Sequence, residues 1–130
     1  MVTGRRYSVL LVEDQALVRE MITSVLEAND FRVTPVACMN EAIDAFSAAS
    51  LEIDTVLSDV RLGDGRNGIE LADWVRERHA DMPVILMSAL TDASYATYHF
   101  LQKPFTEREL LTVIADATAQ ASKPNPTVTL

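Results

Sequence analysis

The 130-residue chain carries 19 acidic against 11 basic side chains, a formal net charge of −8, and 48% of its residues are hydrophobic. That length and apolar content suit one domain with one core, and the acidic balance argues against a nucleic-acid surface, which needs clustered Lys and Arg. A single cysteine, Cys38, rules out an intrachain disulfide, no Cys/His cluster has zinc spacing, and no stretch nears the roughly twenty apolar residues of a membrane span.

In chain order, Tyr7 to Val12 is a short apolar run of the kind a buried parallel strand needs. The run behind Arg5 and Arg6 stops at Glu13, too short for a signal-peptide core, so a cytoplasmic location is expected. Leu17, Val18, Met21, Ile22, Val25 and Leu26 recur at helical spacing from Gln15 to Ala28, with Asn29 as the stop. A strand, Phe31 to Val36, precedes a helix that Asn40 can cap and that runs to Ala49 on the apolar face of Ala42, Ile43, Ala45 and Phe46. A third strand covers Ile53 to Ser58, and the loop Val60 to Gly68 holds three glycines. Ile69, Leu71, Ala72 and Val75 predict a helix ending between His79 and Asp81, before Pro83 opens the strand Val84 to Met87. After the strand His99 to Gln102, Thr106 and Glu109 fit a capping box that starts a last helix. The residues from Ser122 to Leu130, with Pro124 and Pro126, show no helical pattern. Strands alternating with helices predict an α/β fold with a doubly wound parallel sheet.

In such a sheet, residues at the carboxyl ends of several strands meet in one crevice. Glu13, Asp14, Asp59, Ser88, Lys103 and Pro104 each sit just past an apolar run. Like charges about 4 Å apart repel by ~4 kcal/mol at an effective dielectric of 20, so three clustered acids call for a cation. All-oxygen ligands completed by water suit Mg²⁺. Asp59 can then attack phosphorus, with Lys103 as a second positive charge and Ser88 as a hydroxyl donor to a phosphoryl oxygen.

With these residues in place, the sequence resembles the receiver domain of bacterial two-component response regulators, over roughly residues 7 to 120. The resemblance implies a flavodoxin-like, five-stranded parallel sheet of order 2-1-3-4-5. It also implies Mg²⁺ or Mn²⁺ held by Glu13, Asp14, Asp59 and the main-chain carbonyl of Arg61. Asp59 is expected as the phosphoacceptor, Ser88 as the switch hydroxyl, Lys103 as the phosphate contact, Pro104 as a cis proline and Phe100 as the aromatic switch. The phosphoryl group would come from a histidine kinase or a histidine phosphotransfer protein, and phosphorylation would alter binding to an output protein or a second copy of the chain. Such a module phosphorylates and dephosphorylates itself and is not a turnover enzyme.

Departures from the family pattern carry further expectations. Only fifteen positions separate Ser88 from Lys103, which shortens the expected fourth helix within residues 89 to 98. The loop from Arg61 to Gly68 lacks the common Met-Pro pair, is about one residue longer, and resembles receivers attached to hybrid sensor kinases. Arg61, with Ala89 and Leu90, is expected to modulate the phosphate lifetime by hindering the attacking water. The domain is expected over residues 7–121, with an extension at 1–6 and a tail at 122–130.

Three other functions compete. A phosphotransfer intermediate or phosphate sink would pass the group to another histidine or to water. A hydrolase with an aspartyl nucleophile usually needs a second acid two residues on, where this chain has Arg61. An excised piece of a hybrid kinase would carry the same chemistry. Single polar positions also have plainer readings: Asp14 alone would serve as a cap for the next helix, and Asp64 is read as a turn residue. Cys38 and Trp74 are read as packing residues, and His79 and His99 as surface or helix-end groups. Tyr95 and Tyr98 are read as cover for the core or an exposed patch.

Overall fold

The computed structural model describes residues 6–49, 52–63, 65–89 and 98–122. Five strands alternate with helices: β1 (Ser8–Val12), α1 (Ala16–Ala28), β2 (Arg32–Val36), α2 (Met39–Ala49), β3 (Thr55–Asp59), α3 (Gly68–Arg78), β4 (Val84–Ser88), β5 (His99–Gln102) and α4 (Glu107–Ser122). All pairings are parallel, and the order is β2-β1-β3-β4-β5. The expected sheet is therefore the observed one. The short helix expected between β4 and β5 falls on residues 90–97, outside the described residues, as do Leu90, Tyr95 and Asp64.

Every residue of β1, β3 and β4 is buried, because helices cover both faces of the sheet and leave no side for water. Successive side chains point to opposite faces. Leu10, Val12, Val56, Val84 and Leu86 meet Ala42, Phe46, Leu71 and Val75 of α2 and α3 on one side. On the other, Val9, Leu11, Leu57, Ile85 and Met87 meet Ile22, Leu26, Leu110, Ile114 and Ala117 of α1 and α4. Full burial of each such aliphatic chain contributes about 1.5–3 kcal/mol. Pro35 lies within β2, where edge position spares it the ladder bond a proline cannot donate.

The helix ends differ more from the sequence reading. Asn29 does close α1, its N–H bonding back to Leu26 at 3.0 Å, and the Thr106–Glu109 box does open α4. Asn40 is not a cap. The helix α2 starts at Met39, which is buried, and the Glu41 carboxylate accepts the Ala37 N–H at 2.8 Å. That bond satisfies a donor ahead of the helix and moves the start upstream of Asn40. A capping box of Asn67 and Glu70 opens α3; its Asn-x-x-Glu spacing is legible in the sequence but falls inside the glycine loop.

Tyr98 resolves toward core cover. It packs against the α2–α3 side of the core, its hydroxyl donates to Asp73, and the Arg76 guanidinium lies 4.5 Å from its ring centroid. Burial and the Asp73 carboxylate push its phenol up to about 12, so it stays a neutral donor at ordinary pH. Trp74 meets Phe46 edge-on at 5.7 Å under the Arg78 guanidinium, and His79 meets the same Phe46 at 5.3 Å. The Trp74 contacts are packing, in line with the sequence reading; His79, expected at the surface or a helix end, closes α3 as its C-cap and also packs on Phe46. No helix among the described residues is long and apolar enough to cross a membrane.

Candidate functional site: an acidic crevice at the strand ends

The chain leaves β1 at Val12 and presents Glu13 and Asp14 before α1 begins. Glu13 is fully buried, its N–H tied to the Val36 carbonyl at 3.0 Å. Its carboxylate is gripped at both oxygens: Lys103 Nζ donates to Oε1 at 2.9 Å, and the Gln15 N–H donates to Oε2 at 3.1 Å. Asp14 is exposed and does not cap α1, because the cap position belongs to Gln15, without any side-chain bond.

Asp59 is the last residue of β3 and only 8% exposed. Lys103 Nζ reaches its Oδ2 at 2.9 Å, the same distance as to Glu13. Lys103 arrives there because its N–H continues the β4–β5 ladder to the Ser88 carbonyl at 2.8 Å, and a cis peptide bond joins it to Pro104. Ser88, buried, ends β4. The expected site residues therefore come from the ends of four of the five strands. Asp14, Gln15, Asp59, Arg61, Ser88, Ala89 and Lys103 line one open crevice of about 600 Å³.

One carboxylate oxygen each from Glu13, Asp14 and Asp59 lies within 4.8 Å of the other two. Burial, only partly offset by the Lys103 bond, holds Glu13 above the usual carboxylate value. Burial works to lower Lys103, but its bonds to Asp59 and Glu13 outweigh this and hold the ammonium above its ordinary value. With all three acids ionised and one ammonium between them, the cluster has two negative charges in excess. A hard divalent cation offsets those charges, and the donors are all oxygen, so the set fits Mg²⁺ completed by water.

The β3–α3 loop bounds the crevice. An antiparallel bridge joins Arg61 to Asn67, and Gly65 turns the loop with φ +83°. A Cβ at Gly63 would stand 2.8 Å from Asp14 Oδ2, so the loop closes directly against the exposed acid of the cluster. Phe100 is half-buried in the core cluster with Tyr98 and Trp74, and is not among the residues lining the crevice. Sequence reasoning missed Gln15, Gly63 and Gly68, whose roles come from main-chain approach. A run of glycines opposite an acidic turn was their only signal.

The sequence matches the response regulator receiver domain family over residues 9–115. It is 30% identical over 124 residues to the transcriptional regulatory protein TdiR of Thauera aromatica, covering 90% of this chain and 53% of that protein. It is 29% identical to the sensor kinase CckA of Brucella abortus, covering 84% of this chain and 12% of that protein. The chain thus spans about half, or much less, of the length of these relatives. The fold superposes with a TM-score of 0.83 on a response regulator receiver protein from Sinorhizobium medicae, at 26% identity, covering 92% of this chain and 100% of that one. Together with the five-stranded sheet and the acidic crevice at its carboxyl edge, this match shows that the chain belongs to the response regulator receiver domain family of two-component signalling.

Proposed function

We propose that this chain takes a phosphoryl group onto Asp59 in a Mg²⁺-dependent reaction and signals by binding another protein differently once phosphorylated. The observation that carries the reading is Lys103 Nζ standing 2.9 Å from both Glu13 and Asp59, beside the exposed Asp14. In the transfer, an Asp59 carboxylate oxygen forms the new O–P bond as the N–P bond of a phosphohistidine breaks and the imidazole leaves. Glu13, Asp14 and Asp59, with the Arg61 main-chain carbonyl, would hold the cation, which when bound offsets charge on the phosphoryl oxygens. Lys103 and Ser88 donate to the same oxygens. Arg61, exposed and lining the crevice, hinders the water that would hydrolyse the acyl phosphate. Phe100, which like Tyr98 and Trp74 packs against the α2–α3 side of the core, transmits the change from Ser88 to the surface.

Beside the crevice, Gln15, Val18, Met21, Ile22, Ala89, Lys103, Pro104 and Phe105 line an apolar groove of about 410 Å³, and Leu17 and Met21 are exposed on the same helix. Apolar surface next to the acceptor supports a protein, a histidine kinase or histidine phosphotransfer protein, as the phosphoryl donor. The likeness to a sensor kinase favours a second reading, a relay intermediate. Label passing from Asp59 to an added histidine phosphotransfer protein would support that reading, and label lost only to water would count against it.

The first test is intact mass after incubation with a small-molecule phosphodonor. The natural chain is expected to gain one phosphoryl group only with Mg²⁺ present, and Asp59→Asn none. Gain by Asp59→Asn, or gain without Mg²⁺, would overturn the proposal. In the same assay, Arg61→Asn is expected to lose the group several times faster; an unchanged decay would remove Arg61 from the mechanism.

A further inference from the structure

Arg19 stands outside the crevice, yet its guanidinium Nη1 donates to the main-chain oxygen of Glu13 at 2.7 Å. We propose that Arg19 is a positioning residue that fixes the Glu13–Asp14 turn for divalent-cation binding, an inference that rests on the Mg²⁺ reading above. The oxygen it holds belongs to the peptide that joins the two acids. Rotation of that peptide would swing one carboxylate relative to the other.

Among the described residues, Arg19 is the one side chain of α1 shown bonded to this carbonyl. Gln15, at the cap position, has extended backbone (φ −86°, ψ 118°) and no side-chain cap bond. Arg19 itself is anchored, because its N–H bonds the Gln15 carbonyl at 2.9 Å in the first turn of α1. Its side chain is half-buried and lines a shallow depression with Glu20, Thr23, Ser24 and Pro35. A guanidinium is charged at all working pH and is a planar, pre-organised donor. It also places positive charge one peptide away from the acidic cluster. With the Val36 carbonyl holding the Glu13 N–H at 3.0 Å and the Gln15 N–H holding Glu13 Oε2 at 3.1 Å, the bond from Arg19 completes the restraint on the turn.

The test is calorimetric titration of Mg²⁺ alone into the natural chain, Arg19→Met, Arg19→Lys and Ile114→Val, with hydrogen exchange of the Gln15 amide measured without metal. Arg19→Met keeps an apolar stem and is expected to weaken Mg²⁺ binding about tenfold, the effect typical of losing a partner that orients a ligand. Arg19→Lys should fall between, and the Gln15 amide should exchange faster in Arg19→Met. Ile114→Val trims a core side chain of α4 that does not line the crevice, and should bind Mg²⁺ as the natural chain does. Equal affinity in Arg19→Met overturns the inference, as does an equal loss in Ile114→Val. If Arg19→Met does not fold, an unchanged Kd in Arg19→Lys overturns it. Absence of Mg²⁺ binding by the natural chain would instead fail the metal reading itself, and this inference with it.

Discussion

Gly68→Ala is expected to lower the unfolding free energy by about 3 kcal/mol, the upper range for overpacking a tight site, and to slow phosphoryl uptake at least tenfold. A Cβ at this position would run into the Asp59 carbonyl oxygen, with the carbonyl carbon at 3.1 Å and Ser58 Oγ at 2.9 Å. The first two of these atoms are main chain, so no side-chain rotation relieves the clash. The Gly68 N–H also bonds the Val60 carbonyl at 2.8 Å, which holds α3 against the end of β3. The peptide of Asp59 itself must move, and a displacement of about 1 Å can cost a hundredfold in rate. Gly65→Ala is the comparison: its surroundings are open, and its cost is the left-handed backbone alone, about 1 kcal/mol. Urea unfolding and the mass assay on both variants check this. Equal, small losses would mean that the loop relaxes and that Gly68 does not set the place of Asp59.

What the sequence made legible follows from how far each signal reaches. Buried parallel strands are continuous apolar runs, so β1, β3 and β4 could be found to within one or two residues. Polar groups that end those runs must gather at one edge of a parallel sheet, so Glu13, Asp14, Asp59, Ser88 and Lys103 could be placed together before any coordinates. Helix starts were less legible, because a carboxylate a few residues into a segment can satisfy a donor ahead of it as well as a cap can. Glu41 does so for Ala37, which displaced the expected cap at Asn40. Arg19 was not legible at all, and for Gly68 the glycines of the loop were the only signal. The target of a long side chain, and a close approach between two backbones, depend on packing that no local pattern encodes. Tyr98 was left between core cover and exposed patch, since its partners Asp73 and Arg76 lie on α3, more than twenty residues away in sequence.

Lys103→Met is expected to cost the metal-free protein about 3 kcal/mol at pH 7, the low end for removing one partner of a buried ion pair, and less at pH 5. Lys103 is the one ammonium bonded to both Glu13 and Asp59 among the described residues. Without it, a fully buried carboxylate faces two other acids with no ammonium bonded to it. The pH dependence follows from Glu13, whose carboxyl is already held above 4.5, chiefly by burial. A raised carboxyl leaves stability whole below 4.5 and erodes it as pH rises through the folded value. Loss of Lys103 raises Glu13 further, so the erosion extends to higher pH and deepens at pH 7. Lys103 itself does not titrate in this window, since its bonds hold it above 10.5. If Mg²⁺ is the cation of the cluster, as proposed, adding it should restore part of the loss, because a ligand of the folded state alone shifts the equilibrium toward it. Urea unfolding at pH 5 and pH 7, with and without Mg²⁺, separates these effects. An equal loss at both pH values, unmoved by Mg²⁺, would assign the cost to packing of the lysine stem and remove the ion pair from the account of the site.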